Sequence, residues 1–144
     1  QAIITTHSSN ILKELAFSEL RLVKDTQVGK AVESVQQSQL PYPSLNEIAF
    51  TSFGEASSEY HNELYGHIEF NGWLQQYKNG KTTFSYNKVL RNSSIQQISL
   101  TKSEIIRHQI HHPENHQNIR FTPEELLQSI CDMRQFIAWK NANP

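Results

Sequence analysis

The sequence predicts a mainly α protein in which a small α/β segment precedes a bundle of helices. The strongest signals are two helix starts, at Thr101 and Thr122, where a threonine is followed three residues later by a glutamate, the spacing of a capping box. Short β-branched and apolar runs before residue 36 give the strand signals of the α/β segment. We predict that the α/β segment covers residues 1–38, that a linker covers 39–50 and that the helical domain covers 51–144.

The α/β segment reads as strand, turn and helix, followed by two more strands. The first strand is predicted at residues 2–5 and the helix begins near Ile11, while further strands are expected at 20–23 and 28–35. The glutamine, serine and proline residues of 36–43 have the composition of a linker. Because the chain starts at Gln1 directly before an apolar run, we expect it to be a piece of a longer polypeptide.

Helical spacing begins after the linker. Tyr60, Leu64 and Ile68 recur every fourth residue and therefore fall on one stripe of a helix. A second apolar cluster at residues 73–77 ends at the turn dipeptide Asn79-Gly80. Residues 82–98 carry the weakest pattern, and we predict a short helix near 86–90.

The two capped helices close the chain. The first is predicted from Lys102 to about His112, since Pro113 disfavours helical geometry in the residue before it. The second begins at Pro123, a favoured first helical residue, and runs to about Trp139. Its core-facing residues are predicted to be Leu126, Ile130, Met133 and Ile137.

Composition excludes several functional classes. Lys and Arg total 13 against 14 for Asp and Glu, so no overall basic field attracts nucleic acid and any RNA contact has to be local. The lone Cys131 excludes a disulfide framework and fits a reducing compartment. No apolar run approaches the roughly 20 residues of a membrane span. We therefore expect a soluble, cytoplasmic protein with no membrane partner.

A histidine follows the first predicted strand. The segment 3–12, Ile-Ile-Thr-Thr-His-Ser-Ser-Asn-Ile-Leu, resembles the switch loop of ABC-type and related P-loop ATPases of cellular defence. The resemblance implies that His7 binds the γ-phosphate of ATP, and the alternative is an ordinary turn histidine. Since the sequence contains no G-x-x-x-x-G-K-[ST] loop, ATP and Mg²⁺ belong to a part of the ATPase upstream, and we expect no ATP hydrolysis by this chain alone.

A second constellation lies at the end of the helix that starts after Thr101. Arg107 is followed by His108, His111 and His112. Metal-independent RNA cleavage needs a group that titrates near neutrality to move protons and a fixed cation to hold the phosphate, which are the roles of histidine and arginine.

The spacing of Arg107 and His112, an arginine, four residues and a histidine, resembles the signature of HEPN ribonucleases over residues 50–140. The resemblance implies a helical HEPN-like bundle without a cofactor or metal, acting as an endoribonuclease on RNA, with transfer RNA as a candidate. It also implies a homodimer or higher oligomer with a composite site, in the manner of anti-phage abortive-infection proteins.

Several alternatives stay open. On an ideal helix, positions five apart differ by about 140° and positions four apart by about 40°, so periodicity pairs Arg107 with His111 whereas the family pattern selects His112. The histidines alternatively cap helix carbonyls while Arg107 pairs with Glu104 or Glu114. A zinc site built from the histidines at 108, 111, 112 and 116 is a third reading. Glu59, His61 and Glu63, which some HEPN proteins place near the active site, are expected on a solvated face.

Two functions are therefore expected from different classes. The first is an endoribonuclease effector that an attached ATPase controls. The second is a non-catalytic helical module that dimerises the ATPase or recruits a separate effector or sensor protein.

Overall fold

The computed structural model describes residues 3–6, 8, 11, 15–35, 39–41 and 44–143. This part of the chain contains helices and two small antiparallel sheets, so the protein is a mixed α and β protein. The chain divides into two compact units, Gln1–Ser57 and Ser58–Pro144. The helices that we predicted are accompanied by a β-hairpin in the second unit that we did not predict.

The first unit contains a β-hairpin and a helix. After a single 3₁₀ turn at Phe17–Glu19, strand β1 (Arg21–Thr26) pairs with strand β2 (Gly29–Ser34) in antiparallel register. The Thr26 hydroxyl donates to the Gly29 carbonyl at 2.8 Å and so closes the turn, where Gly29 has a φ of 130° that favours glycine. The two strands predicted here are confirmed, and they pair with each other.

The predicted strand at 2–5 is wrong as far as it can be compared. Residues 3–6 form no strand, and the Ile3 side chain is 93% exposed. An apolar β-branched run favours a strand only where a partner strand covers it, and no neighbouring strand among the described residues does so. His7 and most of the predicted turn and helix lie outside the described residues.

Helix α1 (Leu45–Phe53) occupies much of the segment predicted as a linker. The Ser44 side chain accepts from the Glu47 N–H at 3.0 Å, and Gly54 ends the helix with a left-handed φ of 71°. Ile48 of this helix packs with Leu20 and Val35 in the small core of the first unit. The prolines before α1 precede a helix start, and the boundary between the two compact units lies between Ser57 and Ser58.

The second unit is built from four helices and one hairpin. Its elements in chain order are α2 (Ser58–Phe70), α3 (Leu74–Lys78), β3 (Thr83–Val89), β4 (Ile95–Thr101), α4 (Lys102–His111) and α5 (Pro123–Ala142). The longest helix, α5, packs along α2, and α4 contacts both of them. The apolar core lies between these three helices.

The predicted core stripes are confirmed. The side chains of Tyr60, Leu64 and Ile68 on α2 are fully buried. All four residues predicted to face the core from the last helix are also buried: Leu126, Ile130, Met133 and Ile137. Helical periodicity was a sufficient signal because each stripe has a facing helix to bury it.

The predicted helix near 86–90 is wrong, because residues 86–89 belong to strand β3 and Leu90 begins the turn that follows it. β3 pairs with β4, with Tyr86 opposite Ile98 and Phe84 opposite Leu100. Tyr86 is the one buried side chain of β3, and its neighbour Ser85 is exposed. The β-branched and aromatic residues on both sides of the polar turn 90–94 were the strand signal.

Both capping boxes are confirmed. Thr101 and Thr122 each accept from the backbone of the glutamate three residues later, whose carboxylate accepts in return from the threonine N–H. The last helix extends to Ala142, three residues beyond the predicted end. None of the helices in the described part of the chain is both long and apolar enough to cross a bilayer.

The Thr122 box allows a test of the fold. Thr122→Ala removes the acceptor for the Glu125 N–H and should lower the free energy of unfolding by about 1 kcal/mol, as N-cap losses do. Thr122→Ser keeps the hydroxyl and should retain most of that stability. Urea unfolding followed by circular dichroism measures both variants. An equal loss in the two would contradict a role for the hydroxyl.

Candidate functional site

Helix α4 carries the predicted Arg-His cluster on its last turns. The His112 N–H donates the final helical hydrogen bond to the His108 carbonyl at 2.8 Å, but His112 itself has a φ of −128° and a ψ of 64°. Pro113 accounts for this departure, because the residue before a proline avoids the α region. Arg107 and His111, four residues apart within the helix, remain on one side of it.

Arg107 is held against α2 by two contacts. Its guanidinium carbon lies 4.4 Å from the centre of the Tyr65 ring, and Nη2 donates to Glu69 Oε2 at 3.1 Å. The arginine side chain is still 28% exposed, and that of Glu69 is 53% exposed. A guanidinium has five N–H donors, so the contact with Glu69 leaves donors for a second anion such as a phosphate.

A chain of buried polar groups lies behind Arg107. His61 Nε2 is 3.0 Å from Ser129 Oγ, which donates to Ser103 Oγ at 2.7 Å, and Ser103 Oγ is 2.8 Å from the Tyr77 hydroxyl. All four residues are buried. They come from α2, α5, α4 and α3, so one hydrogen-bonded chain connects every helix of the second unit.

Only one of the two ring nitrogens of His61 takes part in these hydrogen bonds. Nε2 contacts the Ser129 hydroxyl, which can either donate to an imidazole nitrogen or accept from its N–H. The other ring nitrogen, Nδ1, is buried without a hydrogen-bond partner among the described residues. Burial, together with the charges of Arg107 and His111, lowers the pKa of His61 to about 4. His61 is thus neutral at physiological pH.

His108 and His112 face other elements. The His108 ring lies 5.4 Å from the ring of Tyr86 on β3 and 6.2 Å from that of His112. Burial lowers the pKa of His108, and Lys88 and His112 add to the effect. The side chain of His112 is 57% exposed, and its Nδ1 lies 3.1 Å from a carboxylate oxygen of Glu114. Within one chain, His112 therefore contacts none of the groups that hold Arg107.

The loop that follows His112 is held in place by hydrogen bonds of two side-chain amides. The amide of the buried Gln109 donates to the Ile119 carbonyl at 2.8 Å and accepts from the Phe121 N–H at 2.9 Å. Asn115 Nδ2 donates to the Tyr86 hydroxyl at 3.1 Å and to the Asn87 carbonyl at 2.9 Å. These amides fix the loop to α4 and β3, and with it the position of His112.

The pairings of the cluster differ from the predicted ones. Arg107 pairs with Glu69, not with Glu104 or Glu114, because Glu104 pairs with Lys78 and Glu114 with His112. The prediction of a solvated face is wrong for His61, which is fully buried, whereas Glu59 is exposed. His7 lies outside the described residues.

Sequence reasoning missed the residues that support the cluster. They are the aromatic and acidic partners of Arg107, the hydroxyls of the buried chain and the amides of the loop: Tyr65, Glu69, Tyr77, Ser103, Ser129, Gln109 and Asn115. The sequence did carry a signal for Tyr65 and Glu69. Together with His61 they follow the same four-residue spacing as Arg107 and His111. Ser103 precedes Arg107 by four residues and so extends that stripe of α4.

The geometry gives no support to the zinc reading. Among the described residues, no three His, Cys, Asp or Glu side chains are arranged so that they could hold a metal ion. The His108 and His112 rings are stacked on each other, and His116 is exposed on the loop. Stacked imidazoles present their faces to one another, whereas metal ligation requires nitrogen lone pairs aimed at one point.

Comparisons with known proteins give no assignment. Neither the protein-family models, nor the curated proteins, nor the solved structures contain a match to this chain. Any statement about function therefore rests on the residues themselves.

The buried state of His61 predicts a pH dependence of stability. Its folded pKa of about 4 is below the unfolded value of 6.5, so on acidification the unfolded chain takes up the proton first. The stabilising contribution is complete above pH 6.5 and is lost as the pH falls toward 4. Between pH 7 and pH 5, His61 alone should lower the free energy of unfolding by about 2 kcal/mol.

Denaturant unfolding at several pH values checks this expectation. His61→Gln should remove about 2 kcal/mol of the wild-type loss between pH 7 and pH 5. His116→Gln replaces an exposed histidine and serves as the matched control, which should retain the wild-type slope. An unchanged slope in His61→Gln would show that His61 is not held neutral.

Proposed function

We propose that the second unit is a metal-independent endoribonuclease of the HEPN type, belonging to a defence ATPase. The observation that supports it best is the composition and exposure of the α4 end. A permanently charged, partly exposed guanidinium is fixed there by Tyr65 and Glu69, one turn before the exposed His111 and five residues before the exposed His112. A fixed cation beside accessible imidazoles is the combination that cleavage of a phosphodiester by its own 2′-hydroxyl requires.

The proposed reaction moves two protons. One histidine removes the proton from the ribose 2′-hydroxyl, and the 2′-oxygen attacks the adjacent phosphorus. The bond from phosphorus to the 5′-oxygen breaks, and a protonated histidine delivers a proton to that leaving oxygen. The products are a 2′,3′-cyclic phosphate and a 5′-hydroxyl, and Arg107 neutralises the charge that develops on the phosphate oxygens.

His112 and His111 are the candidates for proton transfer. His112 fits the family pattern and is the more freely placed, since it has left the helix. His111 shares the face of Arg107 and lies close enough to the buried His61 to lower its pKa. His108 is the weaker candidate, because its ring lies against the rings of Tyr86 and His112 and burial lowers its pKa.

The proposal places the site between two copies of the chain. Arg107 contacts α2, whereas His112 lies with His108, Glu114 and the loop. A second copy that brings its own α4 end alongside would place Arg107 of one chain opposite His112 of the other. The proposal therefore includes a homodimer or higher oligomer, as the resemblance to HEPN ribonucleases implies.

Control by an ATPase rests on the resemblance of residues 3–12 alone. The sequence contains no loop to cradle the phosphates of ATP, so its residues do not fit a complete nucleotide site and no step of the proposed reaction uses ATP. In this proposal His7 contacts a γ-phosphate that the upstream part of the ATPase binds together with Mg²⁺.

One observation favours a second function, a non-catalytic module that dimerises the ATPase or recruits a separate protein. The charge of Arg107 is already met by Glu69 at 3.1 Å and by the face of Tyr65. If Arg107 has a purely structural role, these contacts join α4 to α2 and the arginine needs no further ligand. The two functions differ in whether Arg107 is needed for cleavage or only for stability.

Single substitutions decide between them. Arg107→Ala and His112→Ala should each reduce RNA cleavage by about 10²- to 10⁴-fold, because each removes a group that acts in the transition state. His111→Ala, measured in parallel, shows whether His111 or His112 acts together with Arg107. Arg91→Ala and His116→Ala, at exposed positions, are the matched controls and should cleave like the wild type.

Three further conditions complete the design. Cleavage should persist in EDTA, and thermal unfolding of each variant should show that the fold is retained. Arg107→Lys keeps the charge but loses the planar fork, so partial activity is expected. If the variants at 107, 111 and 112 all cleave at the wild-type rate, or the wild type releases no 2′,3′-cyclic phosphate, the ribonuclease proposal is wrong.

A further inference from the structure

Three aromatic side chains form a half-exposed surface at one end of the second unit. Trp73 follows α2, and Phe136 and Trp139 lie on α5; we refer to these three residues as the tryptophan face. The ring centres of Trp73 and Phe136 are 6.5 Å apart, and those of Phe136 and Trp139 are 6.0 Å apart. Trp139 is 49% exposed, although a tryptophan gains most when it is buried.

A lysine lies across this surface. Lys140 Nζ is 5.2 Å from the Trp73 ring centre and 5.6 Å from that of Trp139. None of the ion pairs between described residues involves Lys140, so its charge is available to an anion. Aromatic faces together with an uncompensated cation are the elements with which proteins bind single-stranded nucleic acid, by stacking on bases and pairing with phosphates.

The tryptophan face and the Arg-His cluster both contact helix α2. His67, in the last turn of α2, meets Trp73 edge to face at 5.7 Å. Glu69, two residues later, holds Arg107. Successive residues on a helix differ by about 100°, so these two side chains leave the same turn of α2 on opposite sides. One helix therefore separates the aromatic surface from the guanidinium.

We propose that the tryptophan face and Lys140 bind unpaired bases and a phosphate of single-stranded RNA that flank the cleaved bond. This inference rests on the proposed ribonuclease function and specifies its substrate: the RNA is unpaired where it meets the protein. Base stacking does not depend on sequence, so this surface contributes affinity for single strands without selecting particular bases.

Tryptophan fluorescence tests the proposal directly. The chain contains two tryptophans, and both belong to the tryptophan face, so their emission reports on this surface alone. The probe is a 2′-O-methyl oligouridine, which lacks the attacking hydroxyl and therefore measures binding without cleavage in the wild-type chain. The single strand should quench the emission in a saturable manner, and the same strand annealed to its complement should quench it far less.

Substitutions identify the groups. Trp139→Ala should raise the Kd for the oligouridine about tenfold, whereas Trp139→Phe keeps a stacking face and should come close to the wild type. Lys140→Gln should weaken binding and reduce its salt dependence. Leu127→Ala removes an exposed side chain elsewhere on α5 and serves as the control. Since Lys140→Gln changes no buried group, it keeps the test valid if a tryptophan variant fails to fold.

The outcomes separate this inference from the ribonuclease proposal. If the 2′-O-methyl oligouridine quenches the emission but the oligouridine with free 2′-hydroxyls is not cleaved, the result would support RNA binding and contradict the ribonuclease proposal. Cleavage with unchanged affinity in both Trp139→Ala and Lys140→Gln would overturn the inference and leave the ribonuclease intact. If the tryptophan emission changes with protein concentration in the absence of RNA, the tryptophan face binds a second copy of the chain. That result would also overturn the inference that the face binds RNA.

Discussion

The second unit depends on the buried hydrogen-bonded chain from His61 through Ser129 and Ser103 to Tyr77. A buried hydroxyl or imidazole is costly unless it is paired, so each helix has to adopt the rotation that completes the chain. Apolar packing tolerates small rotations of a helix, but hydrogen bonds of 2.7–3.0 Å do not. These buried hydrogen bonds thereby specify the arrangement of the helices that the apolar core stabilises.

The rotation of α4 has a direct consequence for the Arg-His cluster. Ser103, Arg107 and His111 are spaced by four residues, so fixing Ser103 against α5 and α3 also turns Arg107 and His111 in a defined direction. Arg107 then meets Tyr65 and Glu69, which belong to the same stripe of α2 as His61. The same four-residue spacing on two helices thus couples the buried polar side chains to the partly exposed guanidinium of Arg107.

The same region departs from what stability alone would favour. A neutral imidazole is buried near Arg107 and His111, and its Nδ1 has no hydrogen-bond partner among the described residues. Proteins usually retain such departures where function requires them, because a fully apolar core would be more stable. Their presence directly behind Arg107 agrees with a functional role for this end of α4.

The sequence was informative where structure is local. The capping boxes, the stripe from Tyr60 to Ile68 and the exit of His112 from the helix depend on neighbouring residues, and they could be predicted. The hairpin was missed because the alternation around Tyr86 is short and mostly polar. The pair Arg107–Glu69 joins residues 38 positions apart, and the burial of His61 depends on Ser129 from another helix. Such contacts follow from tertiary packing, for which the sequence carries no direct signal.

The central claim is that cleavage uses Arg107 of one chain with His112 of another, and complementation between inactive variants tests it most directly. Arg107→Ala and His112→Ala are each expected to be inactive alone. When they are mixed and allowed to exchange subunits, half of the two-fold dimers are mixed and carry one intact site of two, so about one quarter of the wild-type activity should return. A mixture that exchanges subunits and remains inactive would contradict the claim.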